Sequence, residues 1–192
     1  MGADRARSLH RRGGMPLILV PLDFSDCAPQ VVAEALRFAE AFGGRLLLLH
    51  ASDPRGPIPL TATVQPPGSR EPMTVEALLR QDADAHLAPL LRLARERGVV
   101  ADGRVVFGHV AEVVLAVAAG ERADMILMGT HGRTGLARAA MGSIAEDIVR
   151  HADVPVITVR TRHHAGCAAS SCASCDLGRS EIERAIDAED AG

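Results

Sequence analysis

The feature that most constrains the fold of this chain is the regular alternation of short apolar runs with segments of helical periodicity. Apolar runs that are rich in branched residues are typical of strands buried on both faces of a parallel sheet. Five such runs occur in the sequence: LILVPLD at 17–23, RLLLLHA at 45–51, VVADGRVVF at 99–107, DMILMG at 124–129 and VPVITVR at 154–160. The alternation predicts a doubly wound α/β domain over residues 15–161, with helices on both faces of a five-stranded parallel sheet.

The segments between these runs predict four helices and one long loop. Helical spacing of apolar residues is found between Ser25 and Gly43 and over 74–97, 110–122 and about 143–151. Thr74 is the candidate N-cap of the second helix. Residues 52–73 contain six prolines and predict a long surface loop that is poor in ladder hydrogen bonds. The run at 99–107 is less apolar than the others, which places it nearer an edge of the sheet.

Both ends of the chain lack the pattern of a folded domain. Residues 1–14 predict a disordered tail, and Met15 is a candidate true start. Residues 162–192 predict a flexible tail, with the pattern of a short amphipathic helix at 178–190. This tail carries Cys167, Cys172 and Cys175 just after two histidines. Such a set can ligate zinc, or it can be incidental to a flexible tail, and the sequence leaves both interpretations open.

The stretch GTHGRTGLARAAMGSIAEDIVRH, residues 129–151, combines several glycines with the start of a predicted helix. Ser143 and Glu146 have the spacing of a capping box, which predicts a helix that begins at Ser143. A helix N-terminus suits phosphate, and Gly142 lets the backbone approach a ligand closely. Asp23, at the end of the first strand, can accept hydrogen bonds from ribose. The residues alone leave two interpretations open: a nucleotide site or an ordinary strand-to-helix connection.

The order of these motifs resembles the universal stress protein family. The resemblance rests on ILVPLDFSD at 18–26, on the pattern Gly-x2-Gly-x9-Gly-Ser that begins at Gly129, and on the closing run SIAEDIVRHADVPVITVR. It covers residues 15–161. It implies a flavodoxin-like or Rossmann-like sheet with strand order 3-2-1-4-5, usually in a dimer. In this family the glycine motif belongs to the branch that binds ATP.

The resemblance also implies a set of residues around the nucleotide, drawn from the ends of the first, second and fourth strands and from the glycine loop. Carried over by position, they are Pro21, Asp23, Ala51, Met128, Gly129, His131, Gly132, Arg133, Gly142, Ser143 and Ile144. Pro21 and Asp23 would lie by the adenosine, and the backbone of Ala51 would contact adenine. The chain departs from the family at His109 and Val110, where Asp and Pro are frequent, and this puts the cap of the third helix in doubt.

Composition narrows the classes of function. All basic side chains other than histidine are arginine, which argues against P-loop ATPases, protein kinases and Schiff-base enzymes because these depend on a lysine. Aromatic residues make up 2% and the net charge is −3, so nucleic-acid binding is not expected. No apolar run approaches the length of a membrane span. We expect a cytoplasmic regulatory module that binds ATP, with Mg²⁺ or Mn²⁺ as candidate ions, and little or no hydrolysis.

Two alternatives remain at this point. The same fold can lack nucleotide and act as a dimeric interaction protein, or the chain can be a weak ATPase or another enzyme of adenine nucleotides. No catalytic residue is assigned. A homodimer is expected through the last strand, because an apolar edge strand is protected when it pairs with a second copy. The residues expected at that contact are Val154, Val156, Ile157 and Val159.

Overall fold

The computed structural model describes residues 14–25, 28–53, 58–66, 71–130 and 141–160, and these form one α/β unit. The elements are, in chain order, β1 (Leu17–Leu22), α1 (Ala28–Phe42), β2 (Arg45–Ser52), β3 (Thr63–Val64), β4 (Met73–Thr74), α2 (Val75–Glu96), β5 (Ala101–Phe107), α3 (Val110–Gly120), β6 (Met125–Gly129), α4 (Ser143–His151) and β7 (Val156–Val159).

The main sheet has five strands in the order β5-β2-β1-β6-β7, and all of its pairs are parallel. This is the flavodoxin-like arrangement that the family resemblance implied, and the predicted α/β fold class is confirmed. Strand β5 lies at one edge, as its lower apolarity indicated. The chain winds from β1 towards β5 and then returns to β6, so the strand order reverses between β1 and β6. In sheets of this type, the crevice beyond the carboxyl ends of the strands at that reversal is where ligands bind.

Alternate strand residues build a core on each face of the sheet. Ile18, Val20 and Leu48 point to the α1/α2 face and are fully buried there. Leu19 and Ile126 point to the α3/α4 face and are equally buried. Because side chains of a strand alternate between faces, a strand covered on both sides must be apolar at nearly every position. This is why the continuous apolar runs in the sequence identified the strands.

A short hairpin and the starts of β5 and β7 differ from the sequence predictions. The predicted loop at 52–73 contains β3, which pairs with β4 in an antiparallel hairpin. Strand β5 begins at 101 rather than 99, because the amide of Val99 closes the end of α2 on the carbonyl of Ala94 at 2.8 Å. Strand β7 covers 156–159 rather than 154–160, and Val154 packs against the α3/α4 core from outside the strand.

Helix α2 is the longest helix of the described residues and is anchored at its start. The hydroxyl of Thr74 accepts a hydrogen bond from the amide of Ala77 at 3.1 Å, so the predicted N-cap is confirmed. The cap of α3 is His109, whose side chain makes no capping hydrogen bond, as the departure from the family pattern indicated. Within the described ranges, no helix has both the length and the apolarity to span a bilayer.

Candidate functional site

A cleft of about 420 Å³ opens at the carboxyl ends of β1, β2 and β6. It lies where the strand order reverses, and its volume falls in the range of roughly 300–1,000 Å³ that is usual for small-molecule sites. Four strand and helix ends supply most of its walls: residues 21–23, 50–53, 128–130 and 142–145. Ser25, the first turn of α1, the first residue of α3 and Ile148 also line it. The topology therefore gathers residues that are more than a hundred positions apart in the sequence.

Asp23 places a carboxylate in this cleft directly after β1. Its Oδ1 accepts a hydrogen bond from the amide of Ser25 at 3.1 Å, which holds the turn that leaves the strand. Its Oδ2 is buried and has no hydrogen-bond partner among the residues that the structure describes. A buried carboxylate oxygen without a partner is costly, and in native proteins such a group is explained by strain, by a functional role or by a bound water or ion. The oxygen is an acceptor suited to a hydroxyl or amine of a ligand.

Helix α4 points its N-terminus at the same cleft, but its cap differs from the prediction. The helix begins at Ser143 as expected, whereas the N-cap is Gly142, and no side chain makes a capping hydrogen bond. The predicted capping box is therefore wrong. Ser143 is the first helical residue, where its hydroxyl is not placed to cap, and Glu146 pairs instead with Arg150 at 2.7 Å. Within the part of the chain that the structure describes, no side chain caps the first amides of α4, and the helix dipole favours an anion there.

Gly142 forms part of the cleft wall next to these amides. It has φ −61° and ψ 149°, a conformation that any residue adopts, and its amide donates to the carbonyl of Thr130 at 2.9 Å. A Cβ built on Gly142 would lie 3.5 Å from that carbonyl oxygen, which is an ordinary contact. The described residues thus leave room for a Cβ here, and the backbone conformation does not require glycine.

The end of β2 forms the opposite wall through His50 and Ala51. The Nδ1 of His50 lies 2.9 Å from the carbonyl oxygen of Leu22, so Nδ1 carries the proton and donates to that carbonyl. This bond joins the last residue of β1 to β2 at the rim of the cleft. Ala51 is buried, and it belongs to the core on the α3/α4 face while lining the cleft.

The structure brings together most of the residues that the sequence analysis assigned to the site. The cleft is lined by Pro21, Asp23, Ala51, Met128, Gly129, Gly142, Ser143 and Ile144. His131, Gly132 and Arg133 lie outside the described residues. Sequence reasoning missed Thr130, Asp53 and the α1 residue Val31, which also line the cleft. Thr130 directly follows the predicted end of the fourth strand and Asp53 lies two residues beyond the predicted end of the second, and this closeness to strand ends was the available signal.

The described residues contain no group of three or more His, Cys, Asp or Glu side chains that could hold a metal ion. Among the described residues that line the cleft, the titratable side chains are Asp23, His50 and Asp53. They belong to the ends of two neighbouring strands, on the side of the cleft away from the α4 N-terminus. The cleft thus has an acceptor-rich end near β1 and β2 and a donor-rich end at α4.

Comparison with known proteins gives a family match across the described domain. The family model of the universal stress protein family matches residues 15–160. A universal stress protein of Methanocaldococcus jannaschii is 30% identical over 143 residues, which cover 74% of this chain and 81% of that protein. A universal stress protein of Thermus aquaticus is 34% identical over 143 residues, covering 74% of this chain and 97% of that protein.

Solved structures of the same family resemble the fold. One from Burkholderia pseudomallei is 28% identical, with a TM-score of 0.56 over 76% of this chain and 96% of that chain. One from Archaeoglobus fulgidus, in complex with dAMP, is 20% identical, with a TM-score of 0.53 over 77% and 98%. A universal stress protein in complex with cAMP is also 20% identical, with a TM-score of 0.51 over 77% and 98%.

Proposed function

Because this chain belongs to the universal stress protein family, we propose that its cleft binds an adenine nucleotide, with ATP as the ligand, in a regulatory role in the stress response. The observation that carries the proposal is the buried Asp23 Oδ2, which has no partner among the described residues. The structurally similar proteins in complex with cAMP and dAMP support the choice of adenine, since both ligands contain that base.

The two ends of the cleft fit the two ends of a nucleotide. The nucleoside has hydroxyl and amine donors that suit the carboxylate of Asp23 and the backbone at Ala51. The phosphates suit the first amides of α4, where the dipole favours negative charge and Gly142 permits close approach. A ligand in this orientation would run from the ends of β1 and β2 to α4. Mg²⁺ or Mn²⁺, if bound with ATP, would take its ligands chiefly from phosphates and water.

We propose a binding role with little or no hydrolysis. No lysine occurs in the chain to contact the γ-phosphate, and the titratable side chains of the described cleft lie at its acceptor-rich end. There they suit the nucleoside rather than a water molecule that attacks a phosphate. The nucleotide would then act as a ligand whose presence stabilises the bound conformation. Titration with ATP separates this proposal from its two alternatives, which are an interaction protein without nucleotide and a weak ATPase.

Asp23→Asn is expected to weaken ATP binding by about ten- to a hundredfold, because a hydrogen bond to a charged group contributes roughly 1.5–3 kcal/mol. Asn keeps the shape and the acceptor for the Ser25 amide, so the turn is retained. Calorimetric titration with ATP gives the affinities. Asp102→Asn, at an exposed position on β5, is the matched control and should bind as the wild type does.

The wild-type titration also decides between the alternatives. Absence of ATP binding at millimolar concentration, together with no adenine nucleotide released on denaturation, would favour the interaction protein. Steady conversion of ATP to ADP that is lost in Asp23→Asn would favour the weak ATPase. Binding without turnover is the outcome that we expect.

We further propose that the protein forms a homodimer through the free edge of β7. The carbonyls of Pro155 and Val159 accept hydrogen bonds from the amides of Ile126 in β6 and of Thr130 just after it, at 2.9 and 3.0 Å. By alternation, the backbone groups of Val156 and Thr158 point to the other side, where β7 has no partner strand among the described residues. All four β7 side chains are half-buried. An apolar edge of this kind is protected by pairing with a second copy.

Thr158→Pro is expected to convert the dimer to a monomer without unfolding the domain. Proline removes the amide that faces the free edge, whereas the bonds to β6 come from the neighbouring residues. Light scattering at micromolar concentration should give twice the chain mass of 20.2 kDa for the wild type and the single mass for the variant. Thr158→Val, which keeps the amide, is the control. A wild-type protein that is monomeric at this concentration would refute the dimer.

A further inference from the structure

Phe24 has a backbone conformation that is rarely adopted by an aromatic residue. Its φ is 54°, and within the described residues only Phe24 and Arg122 have positive φ without being glycine. The left-handed region is unfavourable for a bulky side chain and persists only where the surroundings enforce it. Phe24 directly follows Asp23, the residue whose free carboxylate oxygen carries the proposed function. The strained residue is therefore next to the proposed ligand contact.

The ring of Phe24 packs against two histidines. Its centroid lies 4.3 Å from that of His50, with an interplanar angle of 18°, and 4.9 Å from that of His86, with an angle of 30°. His50 belongs to β2 and lines the cleft, whereas His86 belongs to α2 and does not. The stack joins the end of β1 to both a neighbouring strand and a helix. We call these three residues the Phe24 clamp.

The Phe24 clamp fixes the backbone on both sides of Asp23. The carbonyl of Leu22 is held by Nδ1 of His50 at 2.9 Å, and the side chain of Phe24 is held by the stack on the α1/α2 face. With its two neighbours fixed, Asp23 is directed into the cleft, and its Oδ1 closes the turn on Ser25. His50 takes part in both contacts, the hydrogen bond to Leu22 and the stack on Phe24, so the two contacts are coupled.

We propose that Phe24 is a positioning residue that sets the direction of the Asp23 carboxylate towards the nucleoside. This inference rests on the proposed function, because it requires a ligand at Asp23. The left-handed turn and the ring stack then act together to orient the Asp23 carboxylate. In this proposal the strained backbone of Phe24 directs the Asp23 carboxylate into the cleft. The contacts with the two histidines keep that backbone from relaxing. A purely structural Phe24 would contribute to the α1/α2 core without any coupling to Asp23.

The first test compares ATP affinities of clamp variants by calorimetry. Phe24→Ala is expected to bind about tenfold more weakly, since the carboxylate is present but poorly aimed at a charge-assisted hydrogen bond. Phe24→Tyr keeps the flat ring and should restore an affinity close to that of the wild type. His86→Ala should weaken binding about threefold, a smaller effect because His50 still holds the ring. His86 is on the surface, with a side chain 58% exposed, so this variant is expected to fold even where Phe24→Ala does not.

The second test is a double-mutant cycle with Asp23→Ala, which separates positioning from a general structural role. If Phe24 and His86 act through Asp23, replacing either by alanine has no further effect on ATP affinity once Asp23 is alanine. Likewise, 2′,3′-dideoxy-ATP should bind the wild type and His86→Ala with equal affinity. This analogue lacks the ribose hydroxyls that Asp23 would contact, so the aim of the carboxylate no longer affects binding. Additive losses in the cycle, or an unchanged affinity in both His86→Ala and Phe24→Ala, would overturn the proposal. A wild type that does not bind ATP would instead refute the proposed function.

Discussion

Replacing Gly142 by valine is expected to weaken ATP binding at least about a hundredfold while the domain stays folded. The new isopropyl group would stand in the cleft beside the first amides of α4, where the phosphates are proposed to lie. It would exclude the phosphate and leave those amides without their acceptor. The loss of two charge-assisted hydrogen bonds, each contributing roughly 1.5–3 kcal/mol, accounts for at least this change in affinity.

The fold is expected to tolerate this substitution because nothing among the described residues requires glycine at position 142. Its φ of −61° and ψ of 149° suit valine, and the nearest atom to an added Cβ is the Thr130 carbonyl oxygen at 3.5 Å. We expect the free energy of unfolding to change by no more than about 1 kcal/mol, which includes the poorer capping by valine. Calorimetry measures the affinity, and urea unfolding measures the stability.

Gly120→Val is the matched control for this experiment. Gly120 ends α3, is exposed, and has no atom within 4 Å of an added Cβ. It does not line the cleft, so the variant should bind ATP with wild-type affinity. Unchanged affinity in Gly142→Val would show that the phosphates do not lie beside α4. Equal losses in both variants would point to a general effect of valine instead.

The fold was predictable from the sequence because its strands are buried on both faces. The runs at β1 and β2 are apolar at nearly every position, a pattern that surface elements do not produce. The β3–β4 hairpin was not predicted, because it has two residues in each strand and its six nearby prolines favour a loop. Its attachment depends on contacts with the start of α2, where the amide of Val75 donates to the carbonyl of Ala62 at 2.9 Å.

The position of the candidate site was also predictable, since strand ends and the glycine motif are local features. Its finer geometry was not. Nothing in the sequence distinguishes Ser143 as a cap from Ser143 as the first helical residue, because the choice depends on the conformation of Gly142. The Phe24 clamp was equally hidden, since it combines residues from β2 and α2 that are far apart in the chain. Local sequence patterns therefore predict where the cleft lies, whereas contacts between distant residues determine how the side chains in it are oriented.

Leu36 offers the corresponding test of the core. It lies on α1, is completely buried on the α1/α2 face, and belongs to the same apolar cluster as Ile18, Val20 and Leu48. These strand residues lie in the centre of the sheet, so the structure around Leu36 has little freedom to collapse into a cavity. Removing a buried leucine side chain therefore destabilises the fold in two ways. The apolar transfer free energy of the removed atoms is lost, and an unfilled cavity remains.

Leu36→Ala is accordingly expected to lower the free energy of unfolding by about 2–5 kcal/mol, a large share of the roughly 5–15 kcal/mol that is typical of a domain. Alanine is at least as good a helix former as leucine, so the loss reports packing alone. Leu79→Ala on α2, where the side chain is 37% exposed, is the matched control and should cost less than about 1 kcal/mol. Urea unfolding without nucleotide measures both. Equal, small losses in the free energy of unfolding of the two variants would mean that α1 does not pack on the sheet as described. The residues of α1 would then not line the cleft.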